Sequence, residues 1–211
     1  MKIKVCGIKY QDNLDQMVKL PIDMIGFNFY APSSRYLKAP LHMPSDTTQI
    51  KYVGVFVNEE IEVVKEKIEE HQLDYVQLHG NESPQYVYEV SKIRDVIKVF
   101  SVNGSDDFRN IADYEDAALF LFDTKTPQYG GSGLKFKWEL LQHYQGSTPF
   151  LLAGGIGPED CPSLYQVNHR QFHGVDINSK FEVEPGRKDP KLITQFVRKY
   201  QELYNTNLNN T

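Results

Sequence analysis

Eight short runs of apolar, β-branched and aromatic residues punctuate the chain, at 3–8, 24–29, 52–57, 75–79, 96–102, 118–124, 150–155 and 172–177. They recur about every 20 to 30 residues, and the segments between several of them carry helical spacing. In 59–71, Ile61, Val64 and Ile68 fall at intervals of three and four, which predicts an amphipathic helix with one buried stripe. In 189–204, Leu192, Ile193, Phe196, Val197, Tyr200, Leu203 and Tyr204 share one broad face, so the last helix should pack down and close the fold. Strands alternating with helices make βα units and a parallel sheet. An open doubly wound sheet satisfies that pattern too, but eight strand and helix pairs are the number that closes a (β/α)8 barrel. The expected architecture is therefore an α/β TIM barrel of eight parallel strands, a single domain over residues 1–204, with a polar Asn/Thr-rich tail over 205–211 that frays.

A chain of 211 residues, 40% hydrophobic and 24% charged, is long enough to bury one full core. No apolar run approaches the roughly 18 residues that span a bilayer, so no membrane association is expected. The net charge is −5 and Lys and Arg are scattered, which removes the electrostatic footprint of a nucleic-acid binder while leaving room for one locally held phosphate. The first strand-like run begins at Ile3 with no charged and apolar leader before it, so the expected location is the cytoplasm. Cys6 and Cys161 lie far apart and outside any Cys-x-x-Cys or Cys/His cluster; neither a disulfide nor a metal site is expected of them.

A barrel keeps its chemistry at the C-terminal ends of its strands. Those ends carry Cys6, Asn28, Asn58, His79, Ser101, Asp123, Gly154 with Gly155, and Asp176 with Asn178. Cys6 at a strand tip reads either as a functional thiol or as packing, since buried cysteine is common in strands. Cys161, after Gly157, Pro158 and Glu159, reads as a small buried apolar residue. Asp123 ends the run Ala-Ala-Leu-Phe-Leu-Phe; a carboxylate emerging from so apolar a strand suits a proton donor, the alternative being a loop cap or a pair with Lys125. Gly130-Gly131-Ser132-Gly133 and Ala153-Gly154-Gly155-Ile156-Gly157-Pro158 precede helical segments, where backbone N–H groups and a helix N-terminus receive an anion. Phosphates in barrels sit at the loops after strands seven and eight, where Gly154, Gly155, Asn178 and Ser179 fall; the plainer reading is that the glycines permit sharp turns.

Arg35, in Ala-Pro-Ser-Ser-Arg-Tyr-Leu on the long loop after the second strand, suits a substrate carboxylate or is a solvated surface arginine. That loop holds three prolines and is expected to carry only a short helix. Period-two alternation puts Lys4 on the face of Cys6 and Gln77 on the face of His79. If Cys6 points into the barrel, Lys4 follows it and needs a carboxylate, for which Asp176 on the neighbouring eighth strand is the candidate. His79 reads as a polar residue lining the mouth, catalytic or packed and hydrogen-bonded.

The strands carry motifs in a fixed order: Lys-Val-Cys-Gly-Ile at the first, Ile-Gly-Phe-Asn-Phe with Ser-Ser-Arg-Tyr at the second, Val-Gly-Val-Phe-Val-Asn at the third and Val-Gln-Leu-His-Gly at the fourth. Phe-Asp-Thr-Lys-Thr-Pro-Gln-Tyr-Gly-Gly-Ser-Gly follows at the sixth, Leu-Ala-Gly-Gly at the seventh, and Gly-Val-Asp-Ile-Asn-Ser with Pro-Gly-Arg-Lys-Asp at the eighth. From Lys4 to about Phe196 the chain thereby resembles the phosphoribosylanthranilate isomerases, small barrel enzymes of tryptophan biosynthesis. The resemblance implies an Amadori rearrangement of N-(5-phosphoribosyl)anthranilate, with the Cys6 thiol as general base and the Asp123 carboxyl as general acid. Ring opening needs a proton on the furanose oxygen, and the resulting iminium acidifies the C2 proton that a base removes. A thiolate suits that second step, which asks the site to lower the Cys6 pKa.

The resemblance further implies Arg35 on the anthranilate carboxylate and Gly131, Gly154, Gly155, Asn178 and Ser179 around the phosphate; from their strand-end positions His79 and Asp176 are expected as further substrate-binding residues. It implies no metal or organic cofactor, because the substrate's own nitrogen is the electron sink. The partner is a phosphorylated small molecule, with no nucleic acid and no membrane, and the protein is a monomer or a homodimer. Three positions depart from the family's usual pattern: Asn178 where Ser is common, Lys180 where Gly is common, and Ala31 before Pro32-Ser33-Ser34-Arg35. Indole-3-glycerol-phosphate synthase, a related barrel, resembles a different constellation of lysine and glutamates. A silent sugar-phosphate binder would lack Cys6 or Asp123, and both are present.

Overall fold

Eight strands are present, β1 (Lys2–Cys6), β2 (Met24–Asn28), β3 (Lys51–Phe56), β4 (Tyr75–Leu78), β5 (Asp95–Val102), β6 (Leu119–Thr124), β7 (Phe150–Leu152) and β8 (Phe172–Ile177). They belong to a computed structural model of the chain that describes residues 1–44, 49–124 and 137–208. Each strand pairs in parallel with its sequence neighbour, and β1 also pairs with β8 through Lys2↔Gly174 and Lys4↔Asp176. The sheet is a closed barrel, so the open-sheet alternative falls.

Closure buries both faces of every strand, which is why the runs are almost continuously apolar. Inward-facing Met24, Val53, Ile97, Val99, Leu119, Leu121, Leu151 and Ala153 form one cluster inside the barrel. Outward-facing residues such as Phe27, Val76, Phe120, Phe122, Phe150 and Val175 join the larger core under the helices. There Phe122 lies 4.9 Å from Phe150 and 5.2 Å from Phe108, centroid to centroid. Burying each such side chain contributes about 1.5–3 kcal/mol.

Five α-helices lie among the described residues, α1 (Gln11–Met17), α2 (Ile61–His71), α3 (Pro84–Ser91), α4 (Cys161–Tyr165) and α5 (Pro190–Leu208). In α2 the expected Val64 and Ile68 are buried, Ile61 is half-buried, His71 joins the buried stripe, and Gln72 in the left-handed region stops the helix. Ser83 caps α3 by accepting from the Tyr86 N–H, with Pro84 following at the first helical position, where its missing N–H costs nothing. Elsewhere the crossings shrink to 3-10 turns, at Ser105–Phe108, Ile111–Tyr114 and Trp138–His143. Cys161 opens α4 fully buried, as its sequence context predicts. Helix α5 continues to Leu208, past the Tyr204 at which the apolar pattern ends. No described helix is long and apolar enough to cross a membrane.

Three local features differ from the sequence expectation. The loop between β2 and β3 carries no helix among its described residues, because Pro32, Pro40 and Pro44 remove donors a helix would need. Strand β7 stops at Leu152, since Gly154 and Gly155 turn away with φ of +85° and +62°. After β8 comes a small antiparallel hairpin, β9 (Glu182–Glu184) and β10 (Arg187–Lys188).

Gly174 sets the approach of β8 to β1. A Cβ there would lie 2.0 Å from the Lys2 carbonyl oxygen, a backbone atom that cannot step aside. Gly174→Ala is therefore expected to cost roughly 1–3 kcal/mol and several degrees of Tm, read by thermal unfolding.

Candidate active site

Lys4 and Cys6 alternate onto the inner face of β1, and Asp176 faces them from β8 (register Lys4↔Asp176). The Lys4 ammonium is 0% exposed and donates to Asp176 Oδ2 at 3.0 Å, so alternation placed this pair correctly. Burial works against the lysine's charge, but Asp176 and Cys6 outweigh it and hold the Lys4 pKa up. Asp176 Oδ1 is buried with no hydrogen-bond partner among the described residues. Cys6 is 5% exposed. Burial pushes its thiol up, with Lys4 the largest influence in the opposite direction. The expectation of a lowered thiol pKa is thus not met by the side chains alone, because removal from water outweighs the neighbouring cations.

Beside Cys6 the hairpin after β8 reaches across to the loop after β2. Arg35 donates through Nε to Glu182 Oε1 at 2.9 Å and through a terminal nitrogen to Oε2 at 2.6 Å. The arginine is thus partly buried and one edge of its guanidinium, Nε and Nη2, is engaged by Glu182, against the reading of a solvated surface residue. Glu182 also accepts from Lys188 Nζ at 2.6 Å and from the Gly186 N–H at 3.0 Å. Burial opposes its charge, but Arg35 and Lys188 hold the carboxyl below its usual range. Lys188, 1% exposed, also donates to Asn178 Oδ1 at 2.5 Å. Burial is the main reason its ammonium is pulled down to about 8, with Glu182 pulling the other way. Sequence reasoning missed Glu182 and Lys188 as site residues; the Pro-Gly-Arg-Lys-Asp stretch was the one signal available.

Across the mouth, Asp123 ends β6 on the inner face, in line with Leu119 and Leu121. Its Oδ1 accepts from the Thr124 N–H at 2.7 Å, and His79 Nε2 lies 3.5 Å from its Oδ2. Asp123 is close enough for Asp176 to feel its charge, an effect smaller than those of burial and of Lys4 on Asp176. Gly154 backs this corner, where a Cβ would meet Asp123 Oδ1 at 2.8 Å. The loop carrying His79 is fastened by Glu82, whose carboxylate accepts from the N–H groups of Asn58 and Gly80 and from Lys98 Nζ at 2.8 Å.

Of the expected phosphate positions, Gly154 and Gly155 form the turn after β7, while Asn178 and Ser179 begin the 3-10 turn Ser179–Phe181 after β8. Gly131 lies outside the described residues. Cys6, Arg35, His79, Asp123, Gly154, Gly155, Asp176, Asn178 and Ser179 thus gather at one end of the barrel. Among the described residues, no group of three or more His, Cys, Asp or Glu side chains could hold a metal ion.

Residues 3–199 match the model of the N-(5'phosphoribosyl)anthranilate (PRA) isomerase family. An N-(5'-phosphoribosyl)anthranilate isomerase of Parabacteroides distasonis is 43% identical over 204 residues, covering 94% of this chain and 92% of the relative. Among solved structures, monomers made from the dimeric phosphoribosylanthranilate isomerase of Thermotoga maritima are 30% identical at a TM-score of 0.78, covering 96% of this chain and 99% of that one. A phosphoribosylanthranilate isomerase in complex with reduced 1-(o-carboxyphenylamino)-1-deoxyribulose 5-phosphate is 30% identical at a TM-score of 0.79, with the same coverage of both chains. The chain belongs to the N-(5'-phosphoribosyl)anthranilate isomerase family.

Proposed function

We propose that this protein converts N-(5-phosphoribosyl)anthranilate into 1-(2-carboxyphenylamino)-1-deoxyribulose 5-phosphate in tryptophan biosynthesis, with Asp123 as general acid and Cys6 as general base. The observation that carries this reading is the meeting of the two groups on one inner rim, linked through Asp176 and Lys4. Asp123 delivers its proton to the furanose oxygen, the ring C–O bond breaks, and the nitrogen lone pair forms the iminium. Cys6 then takes the C2 proton, and the C–H electrons flow into the iminium to give an enolamine. That enolamine tautomerises to the ketose as its C2 hydroxyl loses a proton and C1 gains one, so the carbon skeleton is isomerised with no net proton change and no cofactor is needed.

Binding follows from the same geometry. The turn at Gly154 and Gly155 and the Asn178–Ser179 corner hold the phosphate, with Gly131 completing that site. Arg35 receives the anthranilate carboxylate. Its fork is engaged by Glu182, so the substrate carboxylate takes over or shares those N–H donors. His79 and Asp176 line the sugar, Asp176 with a buried oxygen for a hydroxyl. The protein works in the cytoplasm as a monomer or as a homodimer, the form named for the Thermotoga maritima relative.

The test is turnover of N-(5-phosphoribosyl)anthranilate by the unmodified protein, followed by the decay of its anthranilate fluorescence. Consumption at enzymatic rate is expected; a substrate that decays no faster than in buffer ends the reading.

A further inference from the structure

Lys4 is fully buried, and nothing in the reaction as written uses it. A buried ammonium is costly unless paired, and replacing such an ion pair by apolar residues is often neutral or stabilising. A barrel interior lined mostly by apolar side chains such as Val53, Ile97, Leu121 and Leu151 gains little from it as packing. Its surroundings point to chemistry instead. Lys4 and Cys6 stand two residues apart on one face of β1, and Gly26 is the residue of β2 that pairs with Cys6. A Cβ on Gly26 would lie 2.7 Å from the Cys6 sulfur and 3.3 Å from Lys4 Nζ. Sulfur and ammonium therefore converge on the space that this glycine leaves.

The charges of the cluster point the same way. Lys4, Arg35 and Lys188 are set against the carboxylates of Asp176 and Glu182. Among these paired groups two anions face three cations, with Asp123 near Asp176 outside the set, and a Cys6 thiolate adds a negative charge beside the cations. Arg35 commits Nε and Nη2 to Glu182, while Lys188 is shared between Glu182 and Asn178. Lys4 gives one hydrogen bond to Asp176, and an ammonium carries three donors.

We propose that Lys4 is the residue that stabilises the Cys6 thiolate, held in place by Asp176, and so makes the thiol usable as a base. The assignment rests on the reading of Cys6 as general base and gives the second proton transfer its electrostatic support. Burial pushes the thiol up, and the Lys4 charge is the strongest influence against it, ahead of the opposing effect of Asp176.

The test titrates Cys6 without substrate, through the ultraviolet absorbance of the thiolate taken as a difference from Cys6→Ser, so that tyrosines and Cys161 cancel. Lys4→Met is expected to raise the midpoint by about one to two pH units. Turnover near neutral pH should fall about 10- to 100-fold and recover as the pH is raised. Lys4→Met leaves Asp176 buried without its partner, so Lys4→Met/Asp176→Asn is measured beside it, with circular dichroism confirming the fold. This double variant lacks the uncompensated carboxylate, and its midpoint is still expected above that of the unmodified protein. Lys4→Arg, which keeps the charge, is expected to titrate near the unmodified protein.

A double variant whose midpoint returns to the unmodified value would mean that Lys4 only neutralises Asp176, and the proposal falls. So does a Lys4→Met protein that titrates normally. Because the titration needs no substrate, its failure is separable from a failure of the isomerase reading, which shows only in turnover.

Discussion

Cys6→Ser and Asp123→Asn are each expected to lower kcat on N-(5-phosphoribosyl)anthranilate by about 10²- to 10⁴-fold. A serine hydroxyl is too weak a base to take the C2 proton at neutral pH, and an amide has no acidic proton for the ring oxygen. KM should change little, since neither group holds the phosphate or the anthranilate carboxylate. Folding should survive, because Asn at 123 still offers an oxygen to the Thr124 N–H that Asp123 receives at 2.7 Å, and Ser at 6 is close in volume to the thiol. The two transfers act in series on one substrate, so the double variant is expected to lose much less than the product of the single losses. Fluorescence progress curves at saturating and limiting substrate separate kcat from kcat/KM. If both variants stayed within about threefold of the unmodified protein, the acid and base roles would go, even with the activity itself intact.

Lys98→Met is expected to destabilise the protein by about 3–5 kcal/mol, because it leaves the Glu82 carboxylate buried without its cation. Lys98 is buried on the outer side of β5 and donates to Glu82 at 2.8 Å and to the carbonyls of Gly80 and Leu78 at 2.9 and 3.3 Å. Burial already pulls the Lys98 pKa down against the pull of Glu82. In a chain of this size such a loss corresponds to a fall in Tm of roughly 6–20 °C. Lys98→Met/Glu82→Gln removes both charges and should recover part of it. A Tm equal to that of the unmodified protein in Lys98→Met would refute the argument. Activity should fall with stability in the single variant, because Glu82 ties the Asn58 and Gly80 backbones together on either side of His79, and His79 faces Asp123.

The barrel was legible because both of its periodicities are strong. The apolar runs had to be strands, and alternation along β1 and β8 was enough to pair Lys4 with Asp176 from the sequence. Polar contacts carried by loops left no such trace. Glu182 meets Arg35 across 147 positions, and neither β9 nor β10 is long enough to show a period of two. The Glu82–Lys98 pair hid for a different reason: Lys98 sits in an otherwise apolar strand, and its partner lies in the loop before α3. Among the described residues of the loop after β2 no helix forms, since the missing donors of three prolines weigh more than the loop's length. The thiol's raised pKa depends on how completely water is excluded, which spacing does not encode.

Closure of the barrel has a consequence for synthesis on the ribosome. Lys4, two residues before Cys6 on β1, emerges 172 positions before Asp176 can, and β1 acquires its second neighbour only when β8 arrives. Until then the nascent chain displays a cysteine with the reactivity of an ordinary thiol, since the anion that fixes Lys4 does not yet exist. A chain released early, or one clipped before β8, carries the nucleophile without its setting. The charged cluster around Cys6 is therefore complete only once translation has run through β8.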